Sequence, residues 1–252
     1  MNLMNRPIVF FICALIVLWL STRAGVILSR RKGELDERSW QDFDLLMTAT
    51  STLLGLIIGF SFSMAISRYD QRKNLEEEEA NAIGTENLRV ELLPAADTAK
   101  AKQLLVHYLD ERIRFYTSRS ENDIRQINAE TTQTQAQLWS AVRTPASAQP
   151  TAVTSVAVIG MNDVLNSQGY TQAAWWNRIP LEAWALLGLL AICNNMQAGY
   201  RFRTKNRYLL IALPLIISVS FLLIADIDSP RSGIVRVRPI NLVSLSDSLH
   251  QP

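Results

Sequence analysis

Apolar residues in this chain gather in four long blocks, and charged residues crowd the stretches between them. The first block runs from Pro7 to about Leu28. Pro7 suits the first turn of a helix, where a missing N–H costs nothing. Ile8 to Leu20 is almost unbroken apolar sequence, followed by Arg23 and by Arg30-Arg31-Lys32. Arg6 is a thin positive start for a signal peptide, and no small-residue cleavage pattern precedes Arg23, so the block reads as a retained spanning helix. The second block, Phe43 to Ser67, also has the roughly 20 residues a bilayer demands. Within it Thr48, Thr52, Gly55, Gly59, Ser63 and Ser67 recur three or four apart, so they fall along one stripe of a helix. Leu53, Ile57, Phe60 and Met64 line another face. A spanning helix with a small, polar face wants protein or water on that side. Two readings follow: close helix packing on Gly55-x-x-x-Gly59, or the wall of a pore.

The helical pattern does not stop at the membrane. Gly33 to Asp42 reads as a charged connector with Asp42 or Asp44 as cap, but no breaker separates Ser67 from Pro94. The second helix is therefore predicted to continue to Leu93 as a rod, roughly 40 Å past Ser67 at ~1.5 Å per residue. Asp97 is a candidate N-cap for the next helix. There Leu104, Leu105, Tyr108, Leu109, Ile113 and Tyr116 keep amphipathic spacing. Glu121 to Val142 is predicted helical, Thr144 to Pro150 a loop, and Thr151 to Asn166 helical with Val153, Val156, Ala157, Gly160, Met161, Val164 and Leu165 inward. Trp175 and Trp176 resemble an interfacial belt. The third span is expected over about Ile179 to Tyr200, with Asn194, Asn195 and Gln197 at membrane depth. The fourth covers Tyr208 to Ala225, kinked at Pro214 and closed by Asp226 to Pro230. The last ten residues read as loose.

The pattern predicts an all-α protein: four transmembrane helices with a helical extramembrane insert between the second and third. Its parts are 1–67, a helical layer over 68–178, a second helix pair over 179–228, and a tail over 229–252. Four spans put both termini and the insert on one side. Near the membrane the basic residues almost balance across the two sides, among them Arg178 and Arg231 on one and Arg201, Arg203, Lys205 and Arg207 on the other, so the positive-inside rule does not choose.

Composition narrows the chemistry. With Lys+Arg 25 against Asp+Glu 23, the net charge of +2 gives no argument for nucleic acid. No phosphate loop, zinc-type cluster or nucleophile elbow occurs. Cys13 and Cys193 lie inside apolar blocks and read as buried hydrophobes. The densest charge is Glu76-Glu77-Glu78-Glu79. Four consecutive carboxylates surround a helix, so they read as a solvated face paired as Arg72–Glu76 and Lys73–Glu77, or, in a ring of subunits, as a source of one carboxylate facing the axis. Asp226 and Asp228 are too few for a calcium site without further ligands. Helix termination with pairing to Arg231 is the competing reading.

The run Gly59-Phe60-Ser61-Phe62-Ser63-Met64-Ala65-Ile66-Ser67-Arg68-Tyr69-Asp70-Gln71-Arg72-Lys73, the run Glu79-Ala80-Asn81-Ala82-Ile83-Gly84-Thr85, and the close Asp226-Ile227-Asp228-Ser229-Pro230-Arg231-Ser232-Gly233 resemble a bacterial family of bestrophin-like membrane proteins. The order of two helices, a helical insert and two more helices fits the same family, as does a Tyr-x-x-Arg-like element at Tyr69 to Arg72. The resemblance implies a homo-oligomeric, pentameric anion channel with an apolar neck on the second helix and an acidic calcium clasp after the fourth. On that basis Ile58, Phe62 and Ile66 form the neck, Thr52, Gly55, Gly59 and Ser63 share the wall, and Arg68, Arg72, Glu76 and Glu79 make a charged mouth. Asp226 and Asp228 are what remains of the clasp, whose dense acidic cluster is absent. The expected partners are copies of the chain, the lipid bilayer and small inorganic ions. The expected location is a bacterial inner membrane, with the insert in the cytoplasm. The alternative is a non-conducting scaffold or sensor whose helical layer binds a protein. An enzyme has little support, since no spanning segment carries convergent acid, base or metal groups.

Overall fold

The computed structural model describes residues 6–31, 36–202 and 208–250. Lys32, Gly33, Arg203, Lys205 and Arg207 lie outside them. The elements are α1 (Pro7–Arg31), α2 (Glu37–Arg89), a 3-10 turn (Val90–Leu92), α3 (Ala95–Thr117), α4 (Glu121–Ala148), α5 (Ala152–Trp176), α6 (Leu181–Phe202), α7 (Leu209–Asp228) and α8 (Ile240–His250). No strand occurs among the described residues, and four helices are long and apolar enough to cross a membrane. The chain divides into a unit made of residues up to Arg68 with Arg178–Arg236, and a unit made of Tyr69–Asn177 with the chain from Val237 onward.

In the first unit α1 lies against α6 and α7. The crossing of α1 and α6 depends on two glycines. A Cβ on Gly25 would collide with the Met196 carbonyl oxygen, and one on Gly199 with the Thr22 carbonyl oxygen. With side chains removed, the backbones come close enough for dispersion contacts that lipid cannot replace. The glycines that let α1 and α6 cross closely are therefore Gly25 and Gly199. At Gly55 and Gly59 an added Cβ would meet nothing within 4 Å, so the packing reading of that pair fails within the chain. Phe10, Trp184 and Phe221 cluster nearby, with ring centroids 5.1, 6.1 and 6.4 Å apart.

Helix α2 is uninterrupted over 53 residues, about 80 Å at ~1.5 Å per residue. It begins earlier than the sequence suggests. Asp42 and Asp44 lie inside it rather than capping it, because Trp40 and Phe43 pack on Tyr200 (6.1 and 5.2 Å) and give the extra turns a partner. Asp44 instead accepts from Arg201 Nε at 2.8 Å.

The second unit is a helical layer whose core includes Ile83, Leu105, Tyr108, Leu109, Phe115, Leu138, Met161 and Val164. Several expectations are corrected here. Pro94, not Asp97, is the N-cap of α3. The expected loop over 144–150 is mostly helix: α4 runs through Pro145 to Ala148, and Pro145 is buried. Thr151 and Thr154 form a reciprocal capping box that starts α5. Helix α5 continues to Trp176, and Trp175 is core, edge-on to Phe115 and Tyr116 at 5.1 and 5.4 Å; only Trp176 stays exposed. Val153 and Val156 are exposed, not inward. Of the last ten residues, expected to be loose, 243–250 belong to α8, whose Leu242 is fully buried; 251 and 252 lie outside the described residues.

Candidate functional site

The membrane segment of α2 is the least covered of the candidate spans. Only 11% of its most apolar window is buried, against 50% for the span in α7. Leu54, Ser61 and Ala65 are buried, and Met47, Thr50, Ile57, Ile58 and Phe62 are half-buried. At 3.6 residues per turn these positions form one stripe. Its partner at one end is α6. Ser51 Oγ donates to Asn194 Oδ1 at 2.6 Å, and Gln197 Nε2 donates to Thr50 Oγ1 at 3.5 Å. Arg201 grips Asp44 and lies 4.7 Å over the Trp40 ring. The amides of α6 thus join helices, as does Asn195, whose Oδ1 accepts from Thr22 Oγ1 at 3.4 Å.

The remaining faces of this segment are bare. Thr48, Thr52, Gly55, Gly59, Ser63 and Ser67 are all exposed, so the small and hydroxyl stripe points away from the rest of the chain. Of the three apolar neck candidates, Ile66 is exposed, while Ile58 and Phe62 lean into the packed side. Between Thr48 and Ser67 the most exposed bulky residues are Leu56 and Phe60, 52% and 60% exposed. No carboxylate lies between Asp44 and Asp70.

The four residues expected to form a charged mouth are engaged within the chain. Arg68 stands 3.8 Å from Asp228. Arg72 is buried. Glu76 accepts from the backbone N–H groups of Asn241 (2.9 Å) and Leu242 (3.0 Å), and from Asn241 Nδ2 (2.7 Å). It is the carboxylate cap of α8, where an anion meets unpaired N–H groups and the positive end of the helix dipole. Glu79 is fully buried, accepts from Arg112 Nε, and receives the hydroxyls of Tyr116 and Thr171, both at 3.2 Å. Burial opposes charge on Arg112, but the adjacent Glu79 outweighs it and raises the guanidinium above its ordinary range. Burial, and then Glu79, push the Tyr116 phenol up as well. The solvated-face reading therefore survives only for Glu77 and Glu78, which are exposed together with Asp70, Asn74 and Asn81.

Another buried carboxylate went unnoticed in the sequence. Glu86 is wholly inaccessible, and among the described residues neither of its oxygens has a hydrogen-bond partner. It fits against α5 because residue 160 is glycine; a Cβ there would collide with Glu86 Oε2. Desolvation pushes its carboxyl up to about 8, despite Arg89 nearby, with Asp163 acting in the same direction as burial.

The two aspartates in the last turn of α7 accept hydrogen bonds from backbone N–H groups. Both oxygens of Asp226 accept from Ile234 N–H (2.8 and 3.0 Å), and one also from Val235 N–H at 2.9 Å. Gly233 permits this loop, since a Cβ there would strike the Asp226 carbonyl. Asp228 accepts from Ile179 N–H at 3.2 and 3.3 Å. Each carboxylate is thus already held by at least one backbone N–H, and two carboxylates supply only part of the oxygen shell calcium takes. Among the described residues no group of three or more His, Cys, Asp or Glu side chains could hold a metal ion.

Residues 8–242 match the Bestrophin-like domain family. Among curated proteins none matches. The fold is similar to crystal structures of a bacterial Bestrophin homolog from Klebsiella pneumoniae. A single-site mutant of it superposes with a TM-score of 0.64 at 14% identity, over 96% of this chain and 99% of that one. The form phased on zinc gives 0.61 at 14% identity, over the same shares. A further mutant structure, described as a membrane protein, gives 0.62 at 15% identity over 94% of this chain and 98% of that one. With the match covering nearly its whole length and four helices able to span a bilayer, the chain belongs to the Bestrophin-like family.

Proposed function

We propose that copies of this chain assemble into a ring, pentameric by family resemblance, that conducts small inorganic ions across a bacterial inner membrane, with the helical layer in the cytoplasm. Helix α2 lines the path. The observation that carries the reading is the bare face of α2. A spanning helix with Thr52, Gly59 and Ser63 on its uncovered side is poorly matched to lipid and well matched to water or to other copies of itself. Thr52, Gly55, Gly59, Ser63 and Ile66 belong to the wall, and Leu56 and Phe60 replace Ile58 and Phe62 as the constriction, because they are the most exposed bulky residues between Thr48 and Ser67. An apolar ring of this kind gates by excluding water.

Anion preference rests on a wall with hydroxyl donors and no carboxylate between Asp44 and Asp70. One observation favours the opposite preference: Asp70 and Glu77 are exposed on α2 beyond the membrane segment and, seven residues apart, share a helix face. If that face meets the axis, cations would be concentrated there. Purified protein in liposomes, under a potassium chloride gradient, distinguishes these readings by the sign of the reversal potential. Phe60→Ala and Leu56→Ala should raise the flux. No flux above that of empty vesicles, together with a stable monomer in detergent, would overturn the channel and leave the scaffold reading.

A further inference from the structure

Between α1, α6 and α7 of the membrane unit lies a cavity of about 350 Å³. Its walls carry almost no polar surface. Phe10, Trp184 and Phe221, packed on one another, form a rigid aromatic side. Ala14, Ala185 and Gly188 are too small to fill the space, and a Cβ on Gly188 would meet nothing within 4 Å. No residue of α2 contributes. Part of its lining is open to the surroundings: Val17 is 45% exposed and Leu181 68%.

An apolar cavity does not hold water, because a water there would lack its usual polar partners. The helices that form this one are among those able to cross a bilayer, with a mean hydropathy of 2.2 in α1. The medium around it is therefore hydrocarbon. A flexible unbranched chain fills an irregular slot between fixed aromatic walls better than a folded side chain does, and it keeps the dispersion contacts that a void would forfeit. A second copy of the protein is a poorer occupant, since α2, which is absent from this lining, is the helix with the uncovered small-residue face. We propose that this groove is a specific site for one acyl chain of a membrane lipid, which braces α1 against α6 and α7. The proposal goes beyond channel function and needs only the membrane placement of the helices.

The test uses the full-length protein in a non-brominated detergent, titrated with phosphatidylcholine brominated at mid-chain. The Trp184 signal is the difference in emission between wild type and Trp184→Phe. It should be quenched saturably, at one lipid per protomer. Gly188→Leu, which fills the groove without touching backbone, should abolish the saturable part; Ala14→Leu serves the same purpose if that variant does not fold. Quenching that rises without saturation, or that persists unchanged in both folded variants, would overturn the site. Trp184 unreachable by any lipid, with Cys13 cross-linking to a second copy in a Cys193→Ser background, would assign the groove to subunit contact and overturn it too. None of these readouts involves ion flux, so failure here leaves the channel reading standing.

Discussion

Glu79 and Arg112 form an ion pair with no solvent access to either side chain: Arg112 Nε donates to Glu79 Oε1, and both residues are 0% exposed. The guanidinium carbon also lies 4.4 Å over the Phe115 ring. Each partner is costly to bury and is tolerated because the other is present, with Tyr116 and Thr171 completing the carboxylate's shell.

Breaking this pair from one side is predicted to be worse than removing it whole. Glu79→Ala leaves a buried, uncompensated guanidinium and should destabilise the helical layer by about 3–5 kcal/mol. Glu79→Leu combined with Arg112→Met should cost clearly less than the sum of the single changes. Thermal melting of the solubilised protein for the four members of the cycle checks this. Additivity would mean that the two side chains are not coupled.

Glu86 sets a pH dependence whose sign can be worked out. Its folded-state value of about 8 lies above the ordinary 4.5, so between those limits the native protein holds a proton that the unfolded chain has released. Stability should therefore fall as pH rises from 4.5 to about 8, by on the order of 1.4 kcal/mol per pH unit from this group alone, and level off above it. The charged groups that act on it are Arg89 on its own helix and Asp163 on α5, 3.6 Å apart as a pair. Glu86→Gln should flatten the slope of melting temperature against pH and be more stable than wild type at pH 8.5. An unchanged slope would show that this carboxylate ionises normally.

The two glycine pairs should separate packing from conduction. Gly25→Leu and Gly199→Leu drive side chains into the backbone of the facing helix and should abolish a folded membrane unit. Gly55→Ala and Gly59→Ala meet open space within the chain and should leave the melting temperature of detergent-isolated protomers unchanged or slightly raised, because Ala is the better helix former by ~1 kcal/mol. If Gly55→Ala destabilises the isolated chain as Gly25→Leu does, the assignment of faces on α2 is wrong.

The all-helical class, the four spans and the position of the insert were legible in the sequence, because spanning length and amphipathic period are local properties that water and lipid impose on any chain. The continuity of α2 was legible for the same reason: nothing between Ser67 and Pro94 breaks a helix. Helix ends were read less well. Trp40 and Phe43 extend α2 through contacts with Tyr200, and α8 forms because Glu76, distant in sequence, caps it. The four-glutamate run shows the limit most sharply. Adjacent residues on a helix point 100° apart, so Glu76 and Glu79 turn inward to α8 and Arg112 while Glu77 and Glu78 face outward. Composition treats those four carboxylates alike. Only the packing of neighbouring helices decides which are buried partners, which glycines touch backbone, and which face of α2 stays bare.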